Sequence, residues 1–299
     1  MGKHAFLILA HKNDENFRTL ISLLDNERND IFIHMDKKNV NYQKKEIEDI
    51  ANHSKIYHVK RLNVTWGSFA MVKAELELLK KSTKTGIYDY YHLLSGDDLP
   101  IKPISYIHRF FDANVGSEFV GMVQATEKYR FRINRFYFFQ NKIGRNKATT
   151  PKLIKKFDRY VELITKKTQA DRNKSLKLWY GSQWFSITDN FARYVVKSKK
   201  WIYRHFNYSY IPDELFLQTL LAKSAFMKNA YKTENNSSYK SAMRYIDWSR
   251  GRPYVFRSED MDELMATDML FARKFDSSAN PGLTNKISEK LKNEGIKQA

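Results

Sequence analysis

Over the first 125 residues, short apolar runs alternate with segments in which apolar side chains recur at helical spacing. This alternation constrains the fold more than any other feature. A strand that is apolar on both faces must be covered on both by crossover helices, which is how parallel sheets are built. Residues 5–10 (Ala-Phe-Leu-Ile-Leu-Ala) predict the first strand, and Phe17, Leu20, Ile21 and Leu24 predict a helix over 15–24. Further strands are expected over 30–35, 55–59, 88–94 and 118–122, with helices over 42–51, 68–81 and 104–111. In the 68–81 helix, Phe69, Val72, Leu76 and Leu79 share one face and Ser68 is placed to cap the N-terminus. After Val123 the alternation breaks. Helices are predicted there over 151–166, 189–196, 212–221 and 258–266, and strands over 184–187 and 243–247. Pro212 suits the first position of its helix. The expected fold is α/β, with a mainly parallel central sheet flanked by helices. A single domain would cover 1–276, divided into halves of 1–125 and 126–276, and a polar tail with a helix over 286–294 would follow over 277–299.

The chain has no cysteine, which excludes disulfides and thiolate metal sites. Its longest clean apolar run, residues 5–10, is far short of the roughly 20 residues needed to cross a bilayer. Both features lead to the expectation of a soluble intracellular protein. Lysine and arginine total 52 against 33 acidic residues, for a net charge of +19. Such an excess favours anionic partners, although a lysine-rich solvated surface accounts for it about as well. The charge is clustered, however. Lys128, Arg130, Arg132 and Arg135 interleave with Tyr129, Phe131, Phe136, Tyr137, Phe138 and Phe139, and Lys142, Arg145, Lys147, Lys152, Lys155 and Lys156 follow. Rings and cations in this mixture suit an anionic membrane surface or stacking on single-stranded nucleic acid. No nucleic-acid motif accompanies them, so the membrane reading ranks first.

In open α/β sheets, ligands bind outside the carboxyl ends of the strands. Three polar groups stand there: His11, Asp36 and Asp97-Asp98. Each aspartate also reads as a turn former or cap. Adjacent carboxylates diverge in extended backbone, so Asp97-Asp98 makes poor metal geometry and no metal is expected. Arg273-Lys274 lies between Phe271 and Phe275, an apolar setting that strengthens a cation–phosphate pair, although one of the two cations could equally face solvent. In Ile211-Pro212-Asp213-Glu214-Leu215-Phe216, Glu214 is either a plain cap or a carboxylate base held at a helix start. Trp179-Tyr180-Gly181-Ser182-Gln183-Trp184 combines aromatic faces with a small-residue turn and hydrogen-bonding side chains, as sugar sites do and as aromatic cores also do. An anion clamp with one base matches the needs of sugar transfer from a diphosphate, since a diphosphate leaves without a general acid.

These segments, together with Trp66-Gly67-Ser68 and Ser95-Gly96-Asp97-Asp98-Leu99-Pro100, resemble the core-2/I-branching β-1,6-N-acetylglucosaminyltransferase and peptide xylosyltransferase family in content and order, from about His4 to Asp276. The resemblance implies a GT-A-like nucleotide-sugar transferase fold whose first half binds the nucleotide and whose second half holds the acceptor and the catalytic groups. It implies inverting transfer without metal or other cofactor, UDP-N-acetylglucosamine as donor and a β linkage. By the same resemblance Glu214 is the catalytic base. Lys274 contacts the diphosphate with Arg273 beside it. A further arginine comes from among Arg250, Arg252 and Arg257, with Arg252 favoured. Asp36 and His11 lie toward the base and ribose. Trp179, Gly181, Ser182, Asp98 and Asp213 line the sugar subsites. Animal relatives are membrane-anchored and carry disulfides. A chain with neither resembles a bacterial member acting at the cytoplasmic face of the membrane on a glycan or lipid-linked saccharide, in capsule or surface-polysaccharide synthesis. The rival reading is a basic protein that binds nucleic acid or membrane without catalysis.

Overall fold

The computed structural model describes residues 2–144, 151–167, 173–231 and 239–298. Its strands are β1 (His4–Ala10), β2 (Asn29–Met35), β3 (Lys55–His58), β4 (Tyr90–Ser95), β5 (Asp98–Pro100), β6 (Phe119–Val120), β7 (Val123–Gln124), β8 (Trp179–Tyr180), β9 (Phe185–Thr188), β10 (Arg244–Ile246) and β11 (Phe271–Arg273). The central sheet runs β3-β2-β1-β4-β9-β6, and β1 to β4 are mutually parallel while β9 runs antiparallel to both its neighbours. A three-stranded sheet, β10-β11-β5, and the β7-β8 pair complete the strands.

Alternate residues of β1 feed opposite cores, as the two-residue period of a strand requires. Ala5, Leu7 and Leu9 pack with Val72, Leu76 and Leu79 of helix Phe69–Thr85 and with helices Asp189–Lys197 and Phe216–Ala222. Phe6, Ile8 and Ala10 pack with Phe17, Leu20, Ile21 and Leu24 of helix Glu15–Leu24 and with Ile107 and Phe111 of helix Ile104–Ala113. The sheet is therefore covered on both faces. Ser68 caps its helix by accepting from Ala70 N–H, as its position in the sequence predicts.

Four local differences from the expected elements have physical causes. The single strand expected over 118–122 divides into β6 and β7, with Gly121 at the bend between the sheet edge and the β7-β8 pair. The aromatic-basic stretch forms a helix, Glu127–Asn134, and a second unforeseen helix covers Lys199–Phe206. The helix expected over 212–221 is interrupted. Pro212–Glu214 is a 3-10 turn, Leu215 leaves helical geometry at φ −129°, and helix Phe216–Ala222 follows. The polar tail is a docked helix, Pro281–Gln298, whose Leu283, Ile287 and Leu291 at four-residue spacing are buried in the second core. Thr284 Oγ1 donates to Asn16 Oδ1 across 3.3 Å inside that contact.

One buried cation joins the two larger sheets. Arg244 on β10 donates to the carbonyls of Ala242 (2.6 Å) and Phe185 (3.0 Å) and to Ser186 Oγ (3.3 Å), and its guanidinium lies 4.4 Å from the Phe271 ring centre. Burial pulls it down to about 9, against the opposing influence of Asp98.

Candidate active site

Strands β5 and β11 pair antiparallel, with Arg273 opposite Asp98. Asp98 is buried and saturated: it accepts from Ser95 N–H at 2.7 Å, Ser95 Oγ at 2.8 Å and Arg273 Nη1 at 2.6 Å. Burial pushes its carboxyl up, and Arg273 and Ser95 pull the other way. Arg273 also donates to Ser95 Oγ, and its guanidinium lies 4.5 Å from the centre of the Trp184 ring. Lys274 Nζ stands 3.2 Å from Asp97 Oδ2 and keeps a partly exposed side chain with ammonium donors to spare. Each of the two adjacent carboxylates is thus turned toward a protein cation. Asp98 positions Arg273, and Lys274 is the cation left facing out.

The turn carrying Asp213 and Glu214 is prepared by its neighbours. Ile211 holds a left-handed backbone at φ +50°, a costly state for a β-branched residue, and its N–H donates to Gly67 O at 2.9 Å. Gly67 itself sits at φ +72° against Ile211, so the Trp66-Gly67-Ser68 turn buttresses the bend. Glu214 Oε2 accepts from Arg132 Nη1 at 2.8 Å, and its side chain is 38% exposed. Asp213, at 7%, points inward.

Residues 181–184 join the two halves of the site. Gly181 N–H donates to Glu214 O at 3.0 Å, while Trp184, three residues on, lies beneath Arg273. Three residues of extended chain span at most about 10 Å, so clamp and turn are held within that reach of one segment. Gly181 cannot be replaced lightly, because a Cβ there would lie 1.8 Å from Gly121 O.

Behind the turn is a buried acidic layer. Glu75, on helix Phe69–Thr85, accepts from Gln183 Nε2 at 2.8 Å, and Gln218 Nε2 donates to Ser182 O at 2.7 Å. Asp213 Oδ1, Glu75 Oε2 and Gln218 Oε1 have no donor among the described residues. Burial, with ionised Glu214 adding to it, pushes Asp213 up to about 7. Burial, with Asp213 adding to it, holds Glu75 well above the carboxylate range. A proton retained on this pair turns one acceptor oxygen into the donor that the layer lacks.

The other expected residues are distributed around this centre. Asp36 is buried at the end of β2, and its carboxylate accepts from Lys38 N–H at 2.9 Å and Val64 N–H at 3.3 Å, so it ties down the loop after β3. His11 is exposed at the end of β1, and its carbonyl accepts from Asn39 at 3.4 Å. Trp179 lies in β8, where its backbone is bonded to Thr219 Oγ1 at 3.1 Å. Ser182 Oγ accepts from Trp184 N–H at 3.4 Å. The structure separates the three arginines. Arg250 is bound to Asp247, Asp260 and Glu263, Arg257 stands 4.0 Å from Glu259, and Arg252 is exposed with no ion pair among the described residues.

A model of the core-2/I-branching enzymes matches residues 4–269. The chain belongs to the core-2/I-branching enzyme family. Curated relatives include xylosyltransferase 2 of Rattus norvegicus, 23% identical over 295 residues that cover 92% of this chain and 32% of the relative. Another is xylosyltransferase oxt of Drosophila melanogaster, 23% identical over 283 residues, covering 87% and 30%. The chain spans about a third of the length of these relatives. Among solved structures, apo mouse xyloside xylosyltransferase 1 aligns over 91% of this chain and 97% of its own, at 10% identity and a TM-score of 0.36. S. aureus TarS aligns over 38% and 20%, at 11% identity and a TM-score of 0.27.

In this member of the family several site residues are not evident from the sequence. Glu75 carried a signal: it lies three residues from Val72 and four from Leu79, which puts a carboxyl on the apolar face of its helix. Arg132 stands among clustered cations in the sequence, yet it is largely buried on Glu214. Arg130 likewise turns inward, donating to the carbonyls of Leu176 (3.0 Å) and Asn173 (2.9 Å). Arg145 and Lys147 of the basic run lie outside the described residues. Among the described residues no helix is long and apolar enough to cross a membrane.

Proposed function

We propose that this family member is an inverting glycosyltransferase that moves a sugar from a nucleoside diphosphate to a hydroxyl of a glycan acceptor. The observation that carries the reading is the Gly181–Trp184 segment, which bonds the Glu214 backbone at one end and lies beneath Arg273 at the other. Glu214, the more exposed carboxylate of its turn, takes the proton of the attacking hydroxyl. Lys274, assisted by Arg252 and the field of Arg273, takes the charge that develops on the departing diphosphate. Asp36 and His11 face the nucleoside from the ends of β2 and β1. Trp179, Gly181 and Ser182 border the sugars, with Asp98 and Asp213 acting behind them.

The transfer is read as metal-independent because Asp97 and Asp98 are engaged by Lys274 and Arg273, and the same cations supply the positive charge. The donor is read as UDP-N-acetylglucosamine, transferred with a β linkage. UDP-xylose is the second reading, favoured by the names of the curated relatives. The acceptor is read as a glycan or lipid-linked saccharide met at an anionic membrane surface, in bacterial capsule or surface-polysaccharide synthesis.

Two measurements test the reading. UDP release from a panel of nucleotide sugars, with and without saccharide acceptors, identifies the donor; no release from any of them would remove the enzymatic reading. Glu214→Gln should lower turnover roughly 10²–10⁴-fold at saturating donor, with the melting temperature unchanged. Asp213→Asn should be milder. The reverse ranking would assign the base to Asp213, whose position near 7 suits a base in energy if not in exposure.

A further inference from the structure

Helix Lys152–Lys167 presents apolar side chains to solvent. Leu153, Phe157, Tyr160 and Leu163 are between 50% and 79% exposed, although they recur at the spacing that a helix uses for a buried face. The same helix carries six cations (Lys152, Lys155, Lys156, Arg159, Lys166 and Lys167) against two acids, Asp158 and Glu162. Phe157 meets Phe139 edge-on at 5.4 Å, which joins the helix to the aromatic cluster. In that cluster Phe138 packs on Tyr208 at 5.0 Å, and Phe131, Phe138 and Tyr208 are all exposed. Backbone bonds from Tyr137 N to Tyr208 O (2.8 Å) and from Tyr210 N to Arg132 O (2.8 Å) fix this cluster to the segment that leads into Asp213 and Glu214. The exposed side chains of the cationic helix and of the cluster are therefore linked, through Phe139 and these backbone bonds, to the segment that carries the candidate base.

We infer that helix Lys152–Lys167 and the Phe131–Phe138–Tyr208 cluster form a docking face for an anionic lipid bilayer, with Glu214 opening at its edge. The inference rests on the proposed function for its purpose, since it would bring a lipid-linked acceptor to the base. The occupant follows from charge and polarity together. Apolar side chains with flanking lysines lie in the headgroup boundary, rings inward and ammonium groups on lipid phosphates. A second copy would set one surplus of positive charge against another. Nucleic acid would leave Leu153 and Leu163 uncovered.

The test is sedimentation of the full chain with vesicles of phosphatidylcholine alone or mixed with phosphatidylglycerol. Binding should be at least tenfold tighter to the anionic vesicles and should fall steeply with salt. A Leu153→Glu/Phe157→Glu double variant should lose about 100-fold in partitioning. A Lys152→Gln/Lys156→Gln/Arg159→Gln variant, which keeps the apolar face, should lose a comparable factor, roughly fivefold per cation. Both variants should release UDP from soluble donor as the wild type does, which separates a failure of docking from a failure of the catalytic reading. Equal binding to both vesicle types would overturn the inference, as would unchanged binding by both variants. A self-associated protein that Phe157→Glu renders monomeric, with no vesicle binding, would also overturn it and give the face to a second copy.

Discussion

Asp213→Asn is expected to stabilise the protein at pH 8 and to leave it unchanged at pH 4. In the folded chain the Asp213 carboxyl keeps its proton up to about 7, against an ordinary value of 3.8. Between those limits the folded state binds more protons than the unfolded one, so the free energy of unfolding falls as pH rises, and the loss is complete above pH 7. The interval is roughly 3 pH units at about 1.4 kcal/mol each, a ceiling of ~4 kcal/mol. Sharing of the proton with Glu75 and relaxation of the turn reduce it. Half the ceiling, about 2 kcal/mol, corresponds to about 3 °C in Tm for a domain of this size. Asparagine keeps the shape, carries no charge and adds an amide donor to a layer with surplus acceptors. Thermal and urea unfolding of both proteins should be followed from pH 4 to pH 8. The difference between the two curves cancels the titrating groups that do not interact with Asp213, and it should widen as pH rises. Parallel curves across that range would refute the placement of a reluctant carboxyl behind Glu214.

Lys274→Ala should weaken UDP binding measured by calorimetry and reduce turnover; unchanged affinity would remove Lys274 from the diphosphate site. Donor turnover should persist in excess chelator, and activity abolished by chelator but restored by manganese would promote Asp97 and Asp98 to metal ligands. Gly181→Ala should cost about 1–3 kcal/mol, because its Cβ would overlap Gly121 O and neither backbone can yield alone; a wild-type melting temperature in that variant would contradict the close approach. At the acid end the buried histidines dominate. Burial lowers His4 to about 3 and His108 to about 4, and holds His92 well below 6.5. Their contribution is complete above pH 6.5 and is lost as pH falls through about 4 for His108 and about 3 for His4. His108→Gln, which retains a partner for Asn29, should flatten that decline, and an unaltered slope would show that His108 titrates normally.

Strands β1, β2 and β4, buried along their whole length, and helices Glu15–Leu24 and Phe69–Thr85, with one apolar face each, were legible because each pattern lies in an unbroken stretch of chain. The motif segments were legible because each is contiguous: Ser95–Asp98, Gly181–Trp184 and Arg273-Lys274 carry their chemistry within a few residues. What escaped depends on partners distant in sequence. Nothing near Arg132 announces that its acceptor is Glu214, and nothing near Arg244 shows that its guanidinium will serve the Phe185 carbonyl of the central sheet. The break at Leu215 is similarly remote in origin. Pro212 and the apolar spacing favour a continuous helix, whereas the positive φ at Ile211 and the bond from Gly181 to Glu214 hold the first turn in a tighter form. Helix Pro281–Gln298 has four aliphatic positions in eighteen residues, Leu283, Ile287, Leu291 and Ile296, a pattern too sparse to distinguish from a solvated one.

That docked helix has a consequence in time. Its Thr284 meets Asn16 across 268 positions of sequence, and its leucines share a core with the side chains of helix Glu15–Leu24. A ribosome adds about 5–20 residues per second, so the two partners emerge roughly 13–54 s apart. Throughout that interval the early strands and their first helix wait with part of one face uncovered. During synthesis, this protein is expected to need protection from aggregation most before helix Pro281–Gln298 is made.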